Sequence, residues 1–176
     1  MKKFTYLLSE ENKNKKTIME IQILKEMFET RKYILTFERN DALRAIKPDK
    51  GLVQVYILHE PKLNVDMIKY YYSLLCANKI KHGILVYQES VTSSVKKILN
   101  TLDICVELFC VSDLRYNILK HRLVPRHTKI RREKQNQNKY PILKKTDPVV
   151  RFMGFETGDI IKIDRKDGTI YYRYVK

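Results

Sequence analysis

Pro48-Asp49, ten further residues, then Glu60-Pro61-Lys62 is the one stretch of this chain whose residue types and spacing could support bond-breaking chemistry. A proline-aspartate followed by an acid-x-lysine is the pattern of many nucleases, in which two carboxylates hold Mg²⁺ and a lysine steadies the attacking water. Working sites of that kind usually set the second carboxylate and the lysine inside a strand, which Pro61 would end. Loose spacings like this also arise by chance, so no catalytic residue is assigned from them.

The other reactive residues offer less. His59, His82, His121 and His127 show no metal-ligand spacing with one another or with Cys76, Cys105 and Cys110, so no metal site is expected. The three cysteines are odd in number and fall in apolar runs, which predicts buried free thiols rather than disulfides. The five glycines are scattered and form no phosphate-cradling loop. No cofactor and no small-molecule substrate is expected.

Charge points towards macromolecular partners. The 176 residues carry a net charge of +15, and residues 121–146 hold nine lysines or arginines against the single acid Glu133. A chain this basic often meets nucleic acid or an acidic protein surface. The basic segment 126–145 has almost nothing to bury, and reads as a solvated linker or as a docking strip for nucleic acid or another subunit. No apolar run reaches the roughly 18 residues of a membrane span, and the Met-Lys-Lys-Phe start lacks the apolar stretch of a secretory signal. An intracellular protein with no membrane partner is expected.

The elements that would position these residues fall into two groups. Ser9–Phe28 spaces Ile18, Ile21, Leu24 and Phe28 as one face of a helix. Leu52–Leu58, Gly83–Gln88 and Cys105–Val111 read as short buried strands. Between the first two, Asn64 caps a helix that spaces Ile68, Tyr71, Tyr72 and Leu75 along one face. Between the second and third, Thr92 or Ser93 caps a helix that buries Val95, Ile98, Leu99 and Leu102. Strand, helix, strand, helix, strand implies parallel pairing and a layered α/β unit. Tyr70–Tyr72 could stack bases, but helical spacing favours one core ring and two rings lying along the helix.

The last part of the chain is different. Asp147-Pro148 is a helix start and Gly154 its stop. Asp159–Arg165 and Thr169–Val175 alternate around Asp167-Gly168, a dipeptide favoured in two-residue hairpins. With those two as the turn, Ile163 faces Tyr172, Ile161 faces Tyr174, and Lys162 faces Arg173. One face would then be apolar, and the other would pair two cations. Solvent and Asp164 could screen that pair, or a partner could supply negative charge.

HRLVPRH (His121–His127), KTDPVVRFMGFETGDIIKIDR (Lys145–Arg165) and YYRYV (Tyr171–Val175) together resemble the jaw and assembly subunit shared by eukaryotic RNA polymerases I, II and III, which has a shorter archaeal counterpart. Upstream, HEPKLNVDMIKYYYSLLCANKIKHGILVYQESVTSSVKKIL resembles the jaw domain found only in the eukaryotic type. The resemblance implies a fold of α/β plus α+β. Residues 1–120 would form a three-layer, restriction-endonuclease-like jaw domain, and residues 121–176 a small mixed assembly domain ending in a β-hairpin.

It also implies roles. Asp147, Pro148, Arg151, Gly154, Gly158, Lys162, Arg173 and Tyr174 would belong to the module that docks on the largest polymerase subunit, among the other subunits. Thr92, Ser93 and Ser94, followed by Lys96 and Lys97, would occupy the loop that approaches downstream duplex DNA without reading its sequence. Here Ser93 replaces a proline and Ile142 an arginine. The acidic helix of the family is shortened to the basic stretch Arg131–Lys139, and the loop before Tyr171 to a tight turn. Such trimming suits a divergent, virally encoded polymerase, so the expected location is the nucleus, or the cytoplasm or virion if the chain is viral. The competing readings are a Mg²⁺-dependent nuclease and a free-standing basic DNA-binding protein. The latter should show a groove-reading helix, or aromatic and basic residues on one sheet face.

Overall fold

A computed structural model describes residues 18–132 and 140–176, and the chain divides into two units, residues 1–116 and 117–176. In unit 1, helix α1 (residues 18–30) leads into a five-stranded sheet of order β1-β2-β3-β5-β7. β1 (Ile34–Arg39), β2 (Ala42–Lys47) and β3 (Gly51–Ile57) form an antiparallel meander, while β3, β5 (His82–Tyr87) and β7 (Cys105–Cys110) run parallel. The three parallel strands and the helices between them follow the sequence reading. β1 and β2 extend the sheet beyond it.

Helix α2 (Val65–Ala77) starts where Asn64 Oδ1 accepts from the Met67 N–H at 2.9 Å. Helix α3 (Ser93–Leu99) starts at Thr92, whose hydroxyl accepts from the Val95 N–H. Both helices pack on one sheet face: Ile68 and Val95 meet Leu85 and Leu58, with Tyr56, Tyr71, Ile98, Leu99, Leu102, Val106 and Leu108 around them. Gly83 of β5 is buried on this face, and a Cβ there would collide with Leu75 of α2. The other face carries Leu43, Ala45, Val53, Val55, Ile84 and Val86, all buried. Two ion pairs anchor α1 and its C-terminal end to this second face. Lys25 reaches Glu38 of β1 at 2.7 Å, and Arg31 reaches Glu107 of β7. Unit 1 is thus helix, sheet, helices.

Two expectations change here. Ile18, assigned to the buried face of α1, is exposed, whereas Met27 and Ile23 join Ile21, Leu24 and Phe28 in the core. The expected helical stretch before Ile18 lies outside the described residues. Cys76 and Cys105 are exposed and Cys110 half-buried, so the cysteines form no disulfide with one another but are not core residues. An apolar run does not say where its ends lie in the sheet, and Cys105 opens β7 at the rim of the face that buries Phe109.

Unit 2 is a four-stranded sheet of order β8-β10-β11-β9, with one short helix. β8 (Arg126–Arg132) pairs antiparallel with β10 (Asp159–Asp164), and β10 antiparallel with β11 (Ile170–Val175). β9 (Ile142–Leu143) adds parallel to β11. The first half of the basic segment is therefore a strand, not a linker. One edge of its backbone pairs with β10, which orders it without a run of apolar side chains. Residues 133–139 of that segment lie outside the described residues.

Helix α4 (Pro148–Met153) follows its sequence signals. Asp147 Oδ1 accepts from the N–H groups of Val149 and Val150, at 2.8 and 3.2 Å, and Gly154 ends the helix in the left-handed region at φ 66°. Val150, Phe155, Ile161, Ile163 and Val175 form the core between helix and sheet.

The hairpin register differs from the one expected. Observed partners are Ile160 with Tyr174, Ile161 with Arg173, Lys162 with Tyr172 and Ile163 with Tyr171. The Arg165 N–H donates to Thr169 O at 3.0 Å and the Gly168 N–H to Arg165 O at 3.1 Å, with Gly168 at φ 82°. This is a three-residue loop, Lys166-Asp167-Gly168, in which glycine takes the left-handed position. One extra loop residue shifts the pairing by one, so Lys162 and Arg173 do not face each other.

Candidate functional site

The nuclease-like pattern does not converge. Asp49 lies in the turn before β3 and Glu60 in the loop after it, both exposed. A seven-residue strand separates them, about 23 Å at roughly 3.3 Å per residue. Two carboxylates that far apart cannot share a metal ion. Among the described residues, no three His, Cys, Asp or Glu side chains come together as ligands.

The loop expected to approach DNA is built by a second, small sheet. β4 (Lys62–Leu63) and β6 (Ser90–Val91) pair in parallel, and the Thr92 N–H donates to Leu63 O. This fixes where α3 begins. Ser93, Ser94, Lys96 and Lys97 are exposed, and Lys62 is exposed beside them on β4. Both α3 lysines sit in its last turn, where the helix dipole favours cations.

In unit 2, several residues assigned to docking have local structural work. Asp147, Pro148 and Gly154 start and stop α4. Gly158, at φ 98°, donates its N–H to Val175 O and opens β10. Arg151 is half-buried on α4. Lys162 is held by Asp164 at 2.7 Å, and both side chains are about a third exposed. Arg173 shares the face of the buried Ile161, whereas Tyr174 shares the opposite face with Ile160.

That opposite face is the notable surface of unit 2. The pairings set Ile142, Tyr174, Ile160, Tyr172 and Ile170 on it. Tyr174 and Ile160 are buried, while Ile142, Tyr172 and Ile170 are exposed. Tyr140 adds a ring 6.0 Å from that of Tyr172. Contiguous exposed apolar residues on a sheet mark a contact surface. The sequence hides it, because its members come from three separate segments.

Two charged clusters also lay beyond sequence reasoning. Arg31 donates two parallel hydrogen bonds to the Glu107 carboxylate, both 2.8 Å. His82 Nε2 lies 2.7 Å from Glu107 Oε1, and Tyr33 Oη 3.4 Å from His82 Nδ1. Burial alone would raise the Glu107 pKa, but the Arg31 charge and the hydrogen bonds from His82 and Arg31 hold it well below the usual carboxylate range. In unit 2, the buried Asp159 pairs with Lys129 at 2.9 Å and accepts from the Glu156 N–H. Arg31 and Glu107 stand 76 positions apart, so no local signal could have joined them.

Comparison with known proteins places part of the chain beside RNA polymerase subunits. Residues 116–175 match the model of the RNA polymerase Rpb5 C-terminal domain. A putative DNA-directed RNA polymerase subunit, 454R, of Invertebrate iridescent virus 6 is 34% identical over 110 residues, 52% of this chain and 60% of that protein. The chain thus spans less than two thirds of that viral relative. The DNA-directed RNA polymerases I, II, and III subunit rpabc1 of Dictyostelium discoideum is 27% identical over 171 residues, 82% of this chain and 87% of that protein.

Proposed function

We propose that this chain, whose residues 116–175 match the RNA polymerase Rpb5 C-terminal domain and whose relatives are named as RNA polymerase subunits, is a non-catalytic subunit of a multisubunit DNA-dependent RNA polymerase. Unit 2 docks on the largest subunit and aids assembly. Unit 1, a jaw domain of restriction-endonuclease-like layering, lies beside the downstream duplex. There Lys62, Lys96 and Lys97 favour DNA through phosphate charge, without base readout. The viral relative suits a polymerase working in the cytoplasm of an infected cell.

The observation that carries the docking reading is the exposed face of Ile142, Tyr172 and Ile170 inside the matched segment. It supports an apolar contact centred on these residues, with Tyr174 beneath and Lys162 at the side, in place of a contact made by paired cations. The test is purification of the tagged chain from its native source. Both largest polymerase subunits should accompany it, and Ile142→Ser/Ile170→Ser/Tyr172→Ser should release them while the melting temperature stays within a few degrees. Absence of those subunits from the unsubstituted preparation would refute the subunit reading. Full retention by the triple variant would refute the docking face alone.

A further inference from the structure

Helices α2 and α3 cover only part of their sheet face. They lie over β3, β5 and β7 through Tyr56, Leu85, Val106 and Leu108, and no helix among the described residues covers the same face of β1 and β2. The pairing register sets Ile34, Ile46 and Leu52 side by side across β1, β2 and β3. They are 64%, 39% and 37% exposed, and Phe37, further along β1, is 41% exposed.

The charge at the strand positions of this face has one sign, the carboxylates of Asp41 and Glu60 lying in the flanking loops near Tyr71 of α2. A bulge at Thr36 brings Phe37 opposite Arg44, and the Arg39 guanidinium lies 5.5 Å from the Phe37 ring. Arg44 Nε donates to Gln54 Oε1 at 2.8 Å. Positions of β1, β2 and β3 on this side thus carry Arg39 and Arg44 but no carboxylate. Glu38, the one acid of β1, faces the other way, where Lys25 meets it.

An apolar sheet face is ordinarily buried by a further layer. We propose that this face of unit 1 docks an amphipathic helix of a partner protein, with an apolar stripe over Ile34, Ile46 and Leu52 and carboxylates on its flank for Arg39 and Arg44. The dimensions agree, since three strands at about 4.8 Å spacing offer roughly the 10–12 Å width of one helix with its side chains. Other occupants fit less well. Single-stranded nucleic acid needs open ring faces, and Arg39 lies over the Phe37 ring. A second copy would bring arginines against arginines on a chain of net charge +15. A strand added to the edge of β1 would meet the bulge, a feature that discourages edge pairing. The inference concerns unit 1 alone and stands whether or not unit 2 docks as proposed above.

The probe is a fluorescent synthetic helix of about 18 residues, with leucines along one stripe and glutamates on both flanks, titrated against the full chain. Saturable binding is expected, weakened about tenfold or more by Ile34→Ser/Ile46→Ser/Leu52→Ser and likewise by Arg39→Gln/Arg44→Gln, since a few central contacts dominate such interfaces. The same helix with lysines in place of glutamates should not bind. Ile34, Ile46, Leu52 and Arg39 are exposed and Arg44 is half-buried against Gln54, so a melting temperature within a few degrees of the unsubstituted chain should accompany each loss of binding. Equal binding by the isoleucine and leucine variant would reduce the effect to general attraction by a cationic protein and overturn the proposal. So would equal binding of the lysine helix, or no saturation by millimolar concentration. A dimer in analytical ultracentrifugation that the triple substitution abolishes would assign the face to a second copy instead. Single-stranded DNA binding lost in the same variant would assign it to nucleic acid.

Discussion

Lys162 and Arg173 stand on neighbouring strands of unit 2 but point to opposite faces of the sheet, because Lys162 pairs with Tyr172 and Arg173 with Ile161. A two-residue turn would have set the two cations opposite each other. The three-residue loop separates them, so no like-charge strain is stored in the ladder.

Lys162→Gln and Arg173→Gln should therefore act independently. In a double-mutant cycle on urea stability, the coupling energy should stay within about 0.5 kcal/mol of zero. The partly exposed Lys162–Asp164 pair adds little beyond that, about 0–1 kcal/mol. A relief of repulsion well above that range would restore the two-residue register.

Deleting Lys166 should leave the pairing intact. Arg165 already bonds Thr169, and the deletion leaves Asp167-Gly168 between them, the dipeptide suited to a two-residue turn. Amide exchange should show the same protected residues in β10 and β11. By contrast, Gly168→Val forces a β-branched side chain to φ 82° and should cost about 1–2 kcal/mol.

Arg31→Met removes the partner of a carboxylate that is 26% exposed and should destabilise unit 1 by about 3 kcal/mol. The pH dependence follows from the direction of the Glu107 shift. Its folded pKa lies below the unfolded value, so the unfolded state binds the proton first. The contribution is complete above the unfolded value of about 4.3 and is lost progressively as the pH falls towards the folded one. Urea midpoints measured from pH 7 to pH 2 should fall less steeply for Glu107→Gln than for the unsubstituted chain.

Gly83→Val should push α2 off the sheet, since any Cβ there meets Leu75 in a filled core. The expected loss is about 1–3 kcal/mol. An unchanged melting temperature would mean that Leu75 can move aside.

Binding of duplex DNA by the isolated chain should weaken steeply with salt. If Lys96 and Lys97 each meet a phosphate, Lys96→Gln/Lys97→Gln should reduce the slope of log affinity against log salt by about 2, with no change in sequence preference. An unchanged slope would remove α3 from the DNA-facing surface.

How much of this was legible depended on whether the relevant forces act within a few residues. Helix caps do: Asn64, Thr92, Asp147 and Gly154 satisfy backbone groups two or three positions away, and all four lie where their residue types indicate. Strands β3, β5 and β7 were legible because buried parallel strands are almost continuously apolar. β1 was not, since both its faces are exposed and its composition is mixed.

The hairpin shows where local reasoning ends. β11 has large apolar residues on both faces, Ile170, Tyr172 and Tyr174 on one and Tyr171 and Val175 on the other. Alternation therefore could not choose between registers that differ by one residue, and the choice fell to the loop and to packing against Val150 and Phe155. The residues of the family motif and the basic charge were determined by the sequence itself. Tertiary structure alone decided which side chains share a surface, because Ile142 and Tyr174, Ile46 with both Ile34 and Leu52, and Arg31 and Glu107 come together only when separate segments pair or pack.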